Sequence, residues 1–258
     1  MHKFIHSEEE IRKFVNIMSP LKSDESYFVS MSARNKYLTE EERRHYDLGR
    51  TEMFARELIK QSKRANVEIE DSYLRVLKSM QVSEGGYTSR SGITLPNKCL
   101  VVYANINPSS GIKALKMFYQ EMNDALFDLR TNSEAPYTFN NLDTRLMNCY
   151  QKSKGTRTLI DIDFDIPFQG FDILEKFIKV INEKDIAHYV VKTKSGYHVL
   201  LKKEDIKFNY NILIKEAHEE AQKRFGAEHV EVMVNKNEMI PIPGTIQAGY
   251  EVHFLKGL

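Results

Sequence analysis

The sequence predicts an α+β fold in which helices pack on one face of an antiparallel sheet. Hydrophobic residues make up 41% of the 258 residues and charged residues 28%, the balance of a folded globular chain. Apolar residues recur with the period of helices in some segments and of strands in others. In the second half these segments follow the order strand, helix, strand, strand, helix, strand. This order predicts helices gathered on one side of the sheet.

The beginning of the chain predicts two helices with a strand between them. Ser7, followed three residues later by Glu10, is a capping box that begins the first helix. Residues 27–31 are rich in strand-forming side chains and predict a strand. Thr39 then begins a second, long helix that runs to about Ala65.

The centre of the chain predicts a loop, a strand and a further helix. Glycine and proline residues mark 83–98 as a loop, and the apolar run 99–106 predicts a buried strand. Residues 107–110 then cap a helix. The predicted apolar face of this helix is Ile112, Leu115, Phe118, Met122, Ala125 and Leu129. These elements form a predicted N-terminal α/β unit over residues 1–150.

The second half predicts a separate unit over residues 151–258. Its segments alternate between the strand period and the helix period. In chain order they are strand 158–166, helix 171–181, strands 188–194 and 197–202, helix 210–225, and short strands 230–234, 239–242 and 250–254. This order is typical of an RRM-like antiparallel sheet with both helices on one face. We expect this unit to pack against the N-terminal unit in one compact body.

Composition and charge exclude several classes of protein. No apolar run approaches the roughly 20 residues of a membrane-spanning helix, and the N-terminus lacks an apolar signal segment. A cytoplasmic protein with no membrane partner is therefore expected. Cys99 and Cys149 are too few for a zinc site and give no disulfide framework. Because the net charge is +1, a nucleic acid would have to bind a local group of basic residues.

An acidic strand is the most informative feature of the sequence. Asp161, Asp163 and Asp165 alternate with apolar residues, so their carboxylates project from one face of the predicted strand. Like charges at such neighbouring positions repel one another. A hard divalent cation removes this repulsion because it binds several carboxylate oxygens at once. The strand therefore predicts a metal site, and the alternative is an exposed face with solvated aspartates.

A basic hairpin follows in the sequence. Ser195 and Gly196 predict a tight turn, and a glycine lets the backbone approach a ligand closely. The amides of the turn and the Ser195 hydroxyl can hold phosphate oxygens, with Lys194 beside them. His198 lies on the following strand, where it can donate to the same phosphate. The alternative is an ordinary hairpin with a surface histidine.

Glu231 is the third chemical feature. It lies within an apolar predicted strand, where a lone carboxylate is costly unless a cation meets it. The alternative is that Glu231 faces solvent on an edge strand.

Taken in this order, the three features resemble the archaeo-eukaryotic primase superfamily, which includes the primase-polymerases. The resemblance covers residues 158–245, from the acidic strand through the Ser-Gly-x-His hairpin to the acid-bearing strand that leads into Pro243-Gly-Thr. It implies a small phage- or plasmid-type nucleotidyltransferase. Such an enzyme acts as a primase, a DNA polymerase or both, and adds nucleotides to a 3′-hydroxyl on a single-stranded DNA template.

The resemblance also implies the roles of individual residues. Asp161, Asp163 and Glu231 match the catalytic carboxylates that bind two divalent metal ions, Mg²⁺ or Mn²⁺. Ser195 and His198 match residues that contact the triphosphate of the incoming NTP or dNTP.

The remaining candidate residues are interpreted from their positions beside these residues in the sequence. Gly196 and Lys194 belong to the same nucleotide-binding hairpin, whereas Asp165 has no counterpart in the pattern of the family.

Contacts with the template are predicted in the first half. Arg34, Lys36 and Arg43 stand near Tyr37, which combines positive charge with an aromatic surface for bases. The alternative is a solvated helix start. A separately encoded helicase is expected as a partner for unwinding. The resemblance also implies a viral or mobile-element protein that acts in its host cell.

Two other functions remain open from the sequence. The first is a non-catalytic nucleic-acid-binding module of replication, although such modules usually display aromatic side chains on the sheet where this one carries acids. The second is a metal-dependent nuclease that uses the same carboxylates.

Overall fold

The protein is described here by a computed structural model. It describes residues 3–49, 51–61, 68–81, 86–89, 91–131, 141–228 and 230–257. Within these ranges no helix is both long enough and apolar enough to cross a membrane.

Helices and strands alternate along the chain, and the strands form two five-stranded sheets. The α-helices of the described residues are α1 (Glu8–Ile17), α2 (Glu40–Tyr46), α3 (Ile69–Ser79), α4 (Gly111–Thr131), α5 (Leu142–Lys152), α6 (Phe171–Glu183) and α7 (Asn211–Phe225). The strands of the first sheet are β1 (Glu25–Arg34), β2 (Thr51–Ile59), β3 (Leu100–Asn105), β4 (Ser109–Ser110) and β9 (Met239–Pro241). Those of the second sheet are β5 (Leu159–Asp165), β6 (His188–Lys192), β7 (Tyr197–Lys202), β8 (Glu231–Val234) and β12 (His253–Phe254). A small hairpin is formed by β10 (Ile246–Gln247) and β11 (Tyr250–Glu251).

The first sheet has the strand order β2-β1-β3-β9, and β4 pairs with the beginning of β1. Successive side chains of a strand point to opposite faces. On β1, Val29 and Met31 therefore enter a core that also contains Phe14 of α1 and Leu77 of α3. The opposite face of β1 carries Ser30, Ser32 and Arg34. The first sheet thus has one apolar face under helices and one polar face.

The second sheet has the strand order β12-β6-β7-β5-β8, with every neighbouring pair antiparallel. Ile162 and Phe164 of β5 pack with Phe177 of α6 and Ala217 of α7, so both helices cover one face of this sheet. On the other face Leu200 belongs to the core of the first sheet. The predicted α+β class with antiparallel sheets is therefore confirmed.

The long helix predicted from Thr39 to about Ala65 is wrong. The helix α2 ends at Tyr46, because Asp47 adopts a left-handed conformation that stops it. Residues Thr51–Ile59 then form β2 and pair with β1. Within this strand Met53 lines the polar side of the first sheet, whereas Phe54 packs against its apolar core. The predicted end of the helix lies outside the described residues.

The apolar face predicted for α4 is also partly wrong. Ile112 is 69% exposed and Leu115 is 43% exposed. Phe118 and Ala125 of the predicted face do pack against the protein, and Ala114, which lies outside the predicted face, is buried with Phe118 against Tyr150 of α5. Helix α5 is not among the elements predicted from the sequence, so its position was not available to orient α4. The side chain of Leu129 lies outside the described residues.

The second half of the chain contributes to the first sheet. Strand β9 pairs with the edge of β3, with Ile240 opposite Ala104. Nearby, the Gly244 carbonyl accepts from the amides of His6 and Ser7. The two units predicted as 1–150 and 151–258 therefore share one sheet.

Asn107 also joins the two sheets. Its side chain is buried, its Oδ1 accepts from the amides of Thr158 (2.9 Å) and Leu159 (3.0 Å), and its Nδ2 donates to the Leu159 carbonyl (2.9 Å). Three backbone groups at the start of β5 are satisfied by this one side chain. Because buried backbone groups need partners, Asn107 fixes where the second sheet begins relative to the first.

We expect Asn107→Ala to lower the free energy of unfolding by at least about 1–3 kcal/mol, the cost of leaving a buried polar group unpaired. Urea unfolding followed by circular dichroism measures the loss. The matched control is Asn123→Ala on the exposed side of α4, which should change stability by less than about 0.5 kcal/mol. Equal effects of the two substitutions would contradict the role given to Asn107.

Candidate active-site cleft

A cleft of about 710 Å³ lies between the polar face of the first sheet and the end of the second sheet. Asp163, Asp165 and Glu231 line one side, which we call the carboxylate wall. Arg34 and Lys36 line the other side, which we call the basic wall. Opposite charges thus face each other across one solvent-filled space.

The acidic strand has the face predicted from its sequence. Ile162 and Phe164 are in the helix-covered core, whereas the three aspartates of β5 point to the other side. Their exposure increases along the strand. Asp161 is 1% exposed, but the side chains of Asp163 and Asp165 are 40% and 48% exposed. The strand therefore runs from the interior into the cleft.

Asp161 is held by a network of hydrogen bonds. His198 Nδ1 lies 3.0 Å and 3.1 Å from its two carboxylate oxygens, and Asn235 Nδ2 donates to it at 2.7 Å. The backbone amide of Asn235 also donates to the Asp161 carbonyl, and its side chain donates to the Met239 carbonyl. The network therefore links β5, β7 and the segment that crosses from β8 to β9.

The charges of this network change two pKa values. Burial opposes protonation of His198, but the nearby charges of Asp161 and Asp163 outweigh it and raise the pKa of His198 to about 9. Partial removal from water raises the pKa of the Asp163 carboxyl, as do the charges of Asp161 and Asp165, against the opposing charge of His198. At neutral pH His198 is therefore an imidazolium next to the carboxylate wall.

Glu231 lies beside Asp165 rather than beside Asp161. The two residues are directly opposite each other on β8 and β5, so their side chains project from the same face. Glu231 is exposed, as the alternative reading of the sequence expected for an edge strand. Like charges at directly opposed positions destabilise a sheet unless a cation lies near them.

The structure therefore brings only some of the predicted metal ligands close together. Carboxylate oxygens suit Mg²⁺ and Mn²⁺, and Asp163, Asp165 and Glu231 all reach the cleft. Within the described residues, no group of three or more histidine, cysteine or acidic side chains is close enough to hold a metal ion by itself. The chemistry of the donors fits a divalent ion, and their present spacing leaves the ligand set open.

The basic hairpin is divided between the cleft and the neighbouring β10–β11 hairpin. Ser195 lines the cleft, and its Oγ accepts from Lys36 Nζ at 3.3 Å. The Lys194 ammonium instead donates to the Ala248 carbonyl at 2.7 Å and lies over the ring of Tyr37. Lys194 therefore packs against the β10–β11 hairpin, and Lys36 is the lysine that reaches Ser195.

Gly196 packs closely against the protein's own backbone. A Cβ at this position would lie 2.0 Å from the Phe164 carbonyl oxygen. The turn therefore packs directly on the backbone at the end of β5. In this way Gly196 positions Ser195 and His198 next to the aspartates.

The three predicted template residues lie in different surroundings. Arg34 and Lys36 are on the basic wall, and Lys36 Nζ is 3.9 Å from Asp165. Arg43 on α2 uses its Nε to donate to the carbonyls of Asn35 and Leu38. Arg43 thus supports the turn that precedes α2 and is not among the residues that line the cleft.

Several residues of the site were missed in the sequence. Asn235 holds Asp161, and Tyr103 holds Arg34 through a 2.7 Å hydrogen bond to Nη1. Ser30 and Ser32 line the floor of the cleft. The two serines did carry a signal, since they alternate with apolar residues along a strand that is buried almost throughout. Asn235 and Tyr103 gave none, because their partners are distant in the sequence.

Comparison with known proteins adds no relative. No family model matches the chain, and no curated protein or solved structure matches it. The resemblance to the primase superfamily therefore depends on the residues and their order.

We expect Asp161→Asn to lower the pKa of His198 from about 9 toward its ordinary value near 6.5 or below, because the substitution removes the buried charge that holds the proton. An NMR titration of the imidazole, in buffer with EDTA, measures the shift. Asp124→Asn on the exposed side of α4 is the matched control and should leave the titration unchanged. If the pKa of His198 is unchanged in Asp161→Asn, another group holds the proton on the imidazole.

The same ion pair makes stability depend on pH. Because the folded-state pKa of His198 is raised, its contribution is fully present below about pH 6.5, the pKa in an unfolded chain. The contribution is lost as the pH rises through about 9. Urea unfolding from pH 6 to 10 should show a fall in stability for the wild type over this window. This fall in stability should be smaller in Asp161→Asn. If stability depends on pH in the same way in both proteins, the ion pair of Asp161 and His198 is not its cause.

Proposed function

We propose that this protein is a metal-dependent nucleotidyltransferase of the primase-polymerase type. It would add nucleotides to a 3′-hydroxyl on a single-stranded DNA template, with a helicase encoded elsewhere. The observation that carries the proposal is the cleft in which the carboxylate wall faces the basic wall. A metal-bound polyphosphate carries both signs of charge and complements both walls.

We also propose that the second sheet with α6 and α7 is the RRM-like catalytic unit expected from the sequence. The support is its strand order. The core strands β5, β6, β7 and β8 are arranged β6-β7-β5-β8, all antiparallel, with the two helices on one face. In this arrangement β5 and β7 are central neighbours, which brings Asp163 opposite His198.

The proposed ligands of two Mg²⁺ or Mn²⁺ ions are Asp161, Asp163 and Glu231, with Asp165 as an additional carboxylate beside Glu231. The hydrogen bonds from His198 and Asn235 use part of the acceptor capacity of Asp161, which as a carboxylate has roughly four lone-pair positions. When bound, divalent ions at such a site activate an attacking hydroxyl and neutralise the charge of a leaving pyrophosphate.

The residues around the carboxylates bind and orient the substrate. His198, positively charged at neutral pH, and the Ser195 hydroxyl can donate to the phosphates of an incoming nucleotide. Lys36 stands beside Ser195 and supplies a further positive charge. Because a strand fixes His198 and a packed turn fixes Ser195, these two groups can hold a triphosphate without reorganising, which is the main source of catalysis in this type of reaction.

Two rival functions use parts of the same cleft. A non-catalytic binding module would have to accept a phosphate backbone next to several carboxylates, which repel it. A nuclease would use the carboxylates but would not need a nucleoside triphosphate. The requirement for triphosphate therefore separates the proposal from both alternatives.

The decisive test measures incorporation of a labelled nucleotide on a single-stranded template, with and without primer, in Mg²⁺ or Mn²⁺. We expect a metal-dependent product from the wild type and a loss of at least about 100-fold in Asp163→Asn, since removal of a group that stabilises transition-state charge has an effect of this size. Asp163 is chosen because its partly exposed side chain can be changed without emptying the network around Asp161.

Asp124→Asn is the matched control and should retain the activity of the wild type. Product formed equally by Asp163→Asn would contradict the site. Template binding without any product would favour the binding module, and degraded template without triphosphate would favour the nuclease.

A further inference from the structure

Arg34 carries a charge that no described side chain neutralises. It is the last residue of β1, and its side chain enters the cleft. Its Nη1 donates to the Tyr103 hydroxyl at 2.7 Å, but its Nε is buried and has no partner among the described residues. Within the same residues no carboxylate pairs with its guanidinium. A cation partly removed from water in this way is costly unless an anion meets it.

Ser30 supplies a second, independent observation. Ser30 lies four residues before Arg34, on the same face of β1, and is 1% exposed. Ser30 is among the residues that line the same cleft, and its buried Oγ makes no hydrogen bond to any described group. It is directly opposite Tyr103 on the neighbouring strand β3. Ser30 and Arg34 thus flank the residue that positions the guanidinium.

The arrangement fits an anion with several oxygens, such as a phosphate. A guanidinium presents parallel N–H donors that match a phosphate, and a hydroxyl can donate to another of its oxygens. Leaving a buried donor unpaired is costly, and a bound phosphate removes that cost. The small side chains of Ser30 and Ser32 leave the space for it beside Tyr103.

We propose that Arg34 and Ser30 form a phosphate subsite for the nucleoside triphosphate, with Tyr103 as the residue that positions Arg34. This assignment replaces the role of Arg34 in template binding, and its nucleotide ligand rests on the proposed function. The subsite lies inside the cleft that also contains Asp163 and His198, where a reacting nucleotide has to be. Lys36, two residues further along the chain, contacts Ser195, so a chain of phosphates can meet both cations of the basic wall.

The test compares two ligands on three variants. The probes are inorganic tripolyphosphate with Mg²⁺, measured by calorimetry, and a fluorescent oligothymidylate, measured by anisotropy. The variants are Arg34→Met, Tyr103→Phe and, as matched control, Arg75→Met on the exposed side of α3. We expect Arg34→Met to weaken tripolyphosphate binding at least about tenfold, the loss that accompanies a charged hydrogen bond. Oligothymidylate binding should change less than about twofold.

Tyr103→Phe keeps the ring and removes the hydroxyl that orients Arg34, so it should weaken tripolyphosphate binding by a smaller factor and retain the fold. This variant keeps the proposal testable if Arg34→Met does not fold. Arg75→Met should behave as the wild type with both probes.

The subsite is wrong if Arg34→Met weakens the oligothymidylate and not tripolyphosphate, if neither cleft variant changes either affinity, or if the wild type does not bind tripolyphosphate. Failure of the proposed function looks different. Arg34-dependent binding of tripolyphosphate by a protein that incorporates no nucleotide would support the subsite and overturn the polymerase. Incorporation by the wild type, together with unchanged tripolyphosphate binding in Arg34→Met, would support the polymerase and overturn the subsite.

Discussion

The arrangement of the two sheets depends on one buried charge. Asp161 is almost completely shielded from water, and a carboxylate in such a place requires partners that are themselves held firmly. His198 provides a positive charge from β7, and Asn235 provides a hydrogen bond from the segment that leaves β8. Because the same Asn235 also binds the first residue of β9, the charge fixes the point at which the chain passes between the sheets. Removing Asp161 would therefore disturb the architecture as well as any chemistry, so it is a poor choice for isolating a catalytic effect.

The cleft is built from secondary structure that is rigid on both sides. Asp163, Asp165 and His198 are on paired strands, and Arg34 ends a strand that is itself paired on both sides. Charges fixed in this way keep their positions when a ligand with opposite charges arrives, and partial exclusion of water strengthens their effect. The flexible element is Lys36, whose long side chain reaches both Ser195 and Asp165 from the turn after β1.

The residues that could be predicted from the sequence are those whose role follows from local periodicity. The alternation of acids on β5 gave the correct face for Asp161, Asp163 and Asp165, since a strand repeats every two residues wherever it lies. The helices α6 and α7 were recognisable for the corresponding reason. Contacts between distant segments could not be predicted in this way. The pairing of Glu231 with Asp165 depends on the register of β8, and the isolation of Arg34 depends on which side chains fail to reach it. The prediction of a helix over residues 51–59 was wrong because their strand conformation depends on pairing with β1.

The crossing of β9 into the first sheet has a consequence for how the protein is made. During synthesis, β1, β2 and β3 emerge from the ribosome well before residues 239–241, so the far edge of β3 has no neighbour for most of that time. An open strand edge readily pairs with another chain. The segment that later covers it is also the one that brings Gly244 against His6 and Ser7. Contacts this distant in sequence form slowly, so the nascent protein has a period in which it can aggregate and a chaperone can assist it. The tyrosine that positions Arg34 lies on this edge, opposite Pro241, so its strand is paired on that side only when this period ends.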